Sequence, residues 1–306
     1  MGEVGSSEHR IYWMNFMEKE GAEKTYEHFL DTANDLPETK QHFASHIIGD
    51  VLYETQGIDG VTVCDSQFGF GCFHGFFSAA LSRDSDAVSK LNSACVGRFG
   101  ELGTGCMHGI GHGILEYEGY DHVAEALDHC KETTQLIPIL GCTSGVFMEY
   151  FTPLTETADG GLATVSRKVD TVEPFSVCSG VRPEYKASCF FELGSWWAVS
   201  SGRNWSDLKG YCRSLPDGEN KDFCFLGIGY AHSNMEKYNT DKAKAECATL
   251  PERPEAICVA GASWSMYANP EYRNRAEEMC SSLNSLQKEE CTYFSRPDMW
   301  GDVSEI

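Results

Sequence analysis

The chain has 306 residues, 42% of them apolar, and its 46 Asp and Glu outnumber 24 Lys and Arg for a formal charge of −22. The length is ample for a real core, and so acidic a surface repels phosphate backbones and anionic membranes, which argues against a nucleic-acid partner. The longest apolar stretch, Gly69–Leu81, is too short and too rich in glycine to span a bilayer, so no transmembrane segment is expected.

Residues 1–20, beginning MGEVGSSEHR, lack the apolar core of a secretory leader and read as an N-terminal extension of a mature chain. Glu23–Ala33 and Thr39–Thr55, separated by Pro37, read as the two helices of a cysteine-free hairpin within 21–57.

Beyond it lie fourteen cysteines in seven pairs: Cys64/Cys72, Cys95/Cys106, Cys130/Cys142, Cys178/Cys189, Cys212/Cys224, Cys247/Cys258 and Cys280/Cys291. The offsets within pairs are 8, 11, 12, 11, 12, 11 and 11 residues, and successive second cysteines are 34, 36, 47, 35, 34 and 33 apart. A double period of this kind is one small unit repeated, each with its own pair. Paired cysteines without C-x2-C knuckles point to disulfides rather than zinc, hence to an oxidising compartment: secreted, periplasmic or cell-surface.

The sixth unit shows the design. Asp241 caps a helix over Lys242–Leu250 with Ala243, Cys247 and Leu250 on one face, and Pro251 and Pro254 close it. A second helix starts near Glu255 and carries Cys258, Gly261 and Trp264. One cysteine late in helix A then faces one early in helix B across the turn, so a disulfide staples the αα-hairpin. Ala126, Cys130, Cys142 and Gly145 repeat the pattern, as do Leu208, Cys212, Leu215, Cys224 and Gly227. The seventh unit opens with Asn269-Pro270, a cap followed by proline at the first helical position.

The expected fold is therefore all-α, a single helical-repeat domain over 1–306 with about eight αα-hairpins in a solenoid or an α/α-toroid. Histidine-bearing hairpins occupy 58–150 and C-terminal hairpins 178–300. The 47-residue step leaves a long loop at 151–177, rich in Thr, Gly and Pro and expected to act as a lid.

The Ala243/Cys247/Leu250 set and the C-x2-G of the second helices resemble the cysteine-rich Sel1-type, tetratricopeptide-related repeat proteins over most of the chain. That resemblance implies a binding scaffold and partner recognition and says nothing of catalysis. The Cys-x-His-Gly at Cys72/His74/Gly75 and at Cys106/His108/Gly109 is similar to the Cys-His-Gly of lanthionine cyclases, whose toroid holds zinc through cysteine and histidine. A zinc site of Cys72, His74, Cys106 and His108 would leave Cys64 and Cys95 without partners.

Five of the ten histidines fall in the second helices of the first three hairpins: His42 and His46, His74, His108 and His112. His42, His74 and His108 share one register position and His46 and His112 another, so stacked repeats bring all five to one wall. Asp50 and Glu116 follow their histidines by one more turn, and Glu149 in the fourth second-helix faces the site from the far side, with Glu192 a more distant candidate. Imidazoles with a carboxylate are the usual ligand set of copper, iron or zinc, so His42, His46, His74, His108, His112 and Glu149 are the expected ligands of one or two ions. Glu149 and Glu116 are the candidate catalytic groups, as ligand or base. Gly105, Gly109, Gly111 and Gly113, interleaved with His108 and His112, mark tight helix contact or room for a ligand. Trp196, Trp197, Trp264 and Tyr230 continue the wall as packing, or as a lining for substrate.

Two functions follow. One is an exported metalloprotein, redox or hydrolytic, acting on a small-molecule or protein substrate. The other is a non-catalytic, disulfide-stapled scaffold that binds a protein or peptide.

Overall fold

The computed structural model describes residues 2–65, 67–84, 86–100, 104–134, 139–156, 162–164, 167–267 and 271–295. Among these the chain is helical apart from one short β-hairpin. It forms two compact units, one mainly of residues up to 165 and one mainly of residues from 166 onward.

The first unit begins with α1 (Ser7–Glu20), capped by the Ser6 hydroxyl, which accepts from the His9 backbone N–H at 3.1 Å. The segment expected as a mere extension is thus a packed helix, because His9, Trp13 and Met17 recur at one-turn intervals and are all buried. Gly21, at φ 87°, turns the chain into α2 (Ala22–Ala33), and α3 (Glu38–Gln56) completes the cysteine-free hairpin at the expected place. A 3-10 helix, Gly57–Val63, stands where the next hairpin was expected to have its first α-helix. Then come α4 (Gln67–Leu81), α5 (Ala87–Phe99), α6 (Thr104–Glu118), α7 (Val123–His129) and α8 (Cys142–Phe151). The expected loop at 151–177 contains β1 (Leu154–Glu156) and β2 (Leu162–Thr164), paired antiparallel with Thr155 opposite Ala163. Strand β2 runs beside α3.

The second unit comprises α9 (Ser176–Gly180), α10 (Lys186–Ser200), α11 (Trp205–Ser214), α12 (Glu219–Met235), α13 (Thr240–Cys247), α14 (Glu252–Tyr267), α15 (Arg273–Met279) and α16 (Ser285–Phe294). Here Asn239, and not Asp241, caps the first helix of the sixth cysteine hairpin, its side chain accepting from the Lys242 backbone N–H at 3.0 Å. That helix ends at Cys247, three residues short of expectation, and its partner starts at Glu252. The pair Asn269-Pro270 lies outside the described residues.

All seven disulfides form with the expected pairing, at Cα–Cα distances of 5.5–5.8 Å. No cysteine is free, so the mixed cysteine–histidine zinc site is ruled out: Cys72 and Cys106 are bonded to Cys64 and Cys95. Each short loop closed in this way stabilises the fold by about 2–3 kcal/mol. Seven disulfides are the cysteine usage of an oxidising, extracellular-type environment. No described helix is long and apolar enough to cross a membrane.

Within each unit the second helices of successive hairpins lie side by side, α3, α4, α6 and α8 in the first and α10, α12, α14 and α16 in the second. The C-x2-G glycine explains how closely they approach. A methyl group at Gly75 would run into the His46 carbonyl, and one at Gly49 into the Cys72 carbonyl. Gly111 and Gly145 make the same reciprocal contact, against the Cys142 and His108 carbonyls. The close crossings lie next to the histidines, and they set the site.

Candidate metal centre

His42 and His46 stand one turn apart on α3 with their Nε2 atoms 2.8 Å apart. His42 Nδ1 is 2.6 Å from the carbonyl of Phe68. A carbonyl only accepts, so Nδ1 carries the proton and the neutral ring presents its Nε2 lone pair. The backbone makes this contact in an unusual way: Phe68 and Phe70 hold left-handed φ values of 51° and 62°, although glycines flank Phe70. Left-handed backbone costs a non-glycine residue about 1–2 kcal/mol.

His74 comes from α4, brought against α3 by the Gly75 crossing. Its ring centre lies 5.4 Å from that of His42 and 5.3 Å from that of His46. It is 3% exposed, and its Nε2 has no hydrogen-bond partner among the described residues. A buried polar nitrogen left in this way costs about 1–3 kcal/mol.

Helix α6 repeats the α3 arrangement. His108 and His112 place their Nε2 atoms 3.0 Å apart, and the His112 ring stacks on His74 at 4.9 Å. His112 Nδ1 donates to Glu149 Oε2 at 2.8 Å, and the Tyr120 hydroxyl donates to Glu149 Oε1 at 2.6 Å. His108 has a backbone hydrogen bond at Leu140. With its Nε2 turned to His112, Nδ1 is the atom left to donate there. The His108 Nε2 lone pair then faces His112 Nε2, a contact that a single proton or a shared metal ion satisfies. Phe70 stacks over His112 at 6.4 Å and covers the pair with an apolar ring.

Two three-residue groups result, His42/His46/His74 and His74/His112/Glu149, each with its donor atoms within 4.8 Å of one another. His74 belongs to both. Burial holds the rings in the neutral, ligating form: it lowers the pKa of His42, pushes His46 down to about 3, and carries His74 and His108 well below the ordinary imidazole range.

Four of the five expected histidines and Glu149 fall in these two groups, and His108 adjoins them only through His112. Glu116 does not join the donor atoms: it stands one turn beyond His112 and lines a cleft with His46. Asp50 is drawn away, held by Arg10 of α1 through Nε at 2.9 Å and Nη2 at 2.7 Å. Glu192 lies in the second unit. Phe68, Phe70, Tyr120 and Leu140 were not anticipated. Two of them contribute backbone atoms, which no residue-type pattern reveals, and Tyr120 lies past the end of α6, out of helical register.

Burial, and then the proximity of Glu149, raise the Glu116 carboxyl to about 7. A carboxyl raised from an unfolded value near 4.5 favours the fold fully below that pH, and the contribution is lost as the pH climbs through about 7. Glu116→Gln is expected to leave the metal-free chain's stability unchanged at pH 4.5 and to raise it at pH 8.5 by about 2–3 kcal/mol. Urea unfolding at the two pH values, disulfides intact, checks this. An equal effect at both would show that Glu116 is not held protonated.

Comparison with protein-family models, curated proteins and solved structures gives no match.

Proposed function

We propose that the chain is an exported metal-binding protein in which His42, His46, His74, His108, His112 and Glu149 hold one or two ions of copper, iron or zinc for redox or hydrolytic chemistry. The observation that carries this is the meeting of two donor groups, His42/His46/His74 and His74/His112/Glu149, at one buried histidine common to both. Anchoring the second ring nitrogen on a carbonyl or carboxylate is how proteins orient imidazole ligands. The unpartnered Nε2 of His74, common to both groups, supports the same reading.

Imidazoles with a carboxylate suit copper, iron or zinc alike. Glu149 serves as ligand or as the group that orients His112. Glu116, near neutrality in its half-buried position, is suited to exchange a proton with substrate in the cleft.

The test is metal content per chain, by plasma mass spectrometry, on protein made with its disulfides formed and supplied in turn with copper, iron and zinc. About one or two equivalents of one of the three are expected, falling at least tenfold in His112→Ala. No uptake of any of the three ions, with a correctly folded chain, would sink the reading and leave the stapled scaffold, whose partner is a protein or peptide.

A further inference from the structure

A cleft of about 330 Å³ opens among α3, α4 and α6, at the low end of the roughly 300–1,000 Å³ of small-molecule pockets. Gly75, Ser78, Ala79 and Ser82 line it from one face of α4. His46, the one ligand candidate in its wall, lines it together with Glu116, Asp50 and Arg83. At 1.5 Å per residue, Gly75 and Leu81, the last residue of α4, are about 9 Å apart along the helix, and Arg83 lies just beyond. The cleft therefore borders the histidine cluster at His46 and solvent at Arg83, whose side chain is 48% exposed.

Arg83 is the only cation among the described residues of this wall. Its guanidinium lies over the Tyr53 ring at 5.7 Å, stands 3.6 Å from Asp50 and also feels Glu54. Neither carboxylate depends on it, since Arg10 holds Asp50 at 2.7 and 2.9 Å and pairs with Glu54. The Arg83 donors thus remain available to a second anion in a chain whose surface is otherwise strongly acidic. Glu116 does not oppose an anion below about pH 7, because its carboxyl is largely protonated there.

We infer that this cleft is the substrate entrance of the proposed metal centre, and that it takes a small, elongated molecule with one carboxylate, paired with Arg83, its other end at His46. This rests on the metal-binding reading for the word substrate; the anion site itself stands on the cleft and Arg83.

The experiment is calorimetric titration of the full-length, oxidised chain with hexanoate, and with hexanol and hexylamine as neutral and cationic probes of the same length. It is run on metal-loaded and metal-free protein. Hexanoate is expected to bind at least tenfold more tightly than either other probe, and Arg83→Gln to lose that preference with metal content unchanged. Ser78→Phe, which fills the cleft and keeps Arg83, is expected to lose binding as well. Equal binding of the three probes, no binding to a chain that holds its metal, or an undiminished preference in Arg83→Gln would each overturn the assignment. Hexanoate preference in a chain that takes up no metal would uphold the anion cleft and overturn its role as an entrance to a metal centre.

Discussion

Replacing His74 with leucine is expected to move stability and metal affinity in opposite directions. The substitution removes a fully buried Nε2 that has no partner and leaves an apolar side chain of similar size, so the metal-free chain should gain about 1–3 kcal/mol. The same change deletes the donor common to both three-residue groups, and metal affinity should fall by about 100-fold or more. Urea unfolding of the metal-free chain and competition with a chelator of known affinity give the two quantities. A destabilised chain with unchanged metal affinity would make His74 an ordinary core histidine and remove the centre's shared ligand.

The second large effect is expected at Gly75→Ala. The added methyl meets the His46 carbonyl, a backbone atom that cannot rotate aside, so α3 and α4 must separate. The loss should be at least about 3 kcal/mol, at the upper end for overpacking, and metal uptake should fall with it because His46 and His74 part. Gly97→Ala is the control. It lies in the last turn of α5 with nothing within 4 Å of a Cβ, and should stabilise by about 0.5 kcal/mol through helix propensity alone. Thermal unfolding of the three oxidised proteins makes the comparison. A Gly75→Ala chain as stable as the parent would show that the close crossing does not position the imidazoles.

Helix boundaries divide according to what sets them. Those of α2 and α3 were legible to within a residue or so, because Pro37 interrupts two amphipathic stretches. The α13 boundary was misplaced because Asn239 and Asp241 are both good caps, and the choice between them depends on where the preceding chain enters. Helix α1 was missed because His9, Trp13 and Met17 form a thin stripe in an otherwise polar segment, which needs α2 and α3 to pack against.

The histidines divide the same way. The sequence by itself determined the disulfide pairing, the hairpins and the shared register of five imidazoles, since all three depend on separations of a dozen residues or fewer and on repetition of one unit. Tertiary structure alone decided which nitrogens face inward, because that depends on backbone carbonyls at Phe68 and Leu140 and on the Glu149 carboxylate, which belong to other elements. It also decided the fates of two carboxylates in the same register. Asp50 and Glu116 each follow a histidine by four residues, yet Asp50 is taken by Arg10, forty residues away, while Glu116 stays half-buried near Glu149 with its pKa raised to about 7. Register places a side chain on a face; charge and burial, which depend on every element packed there, decide what it does.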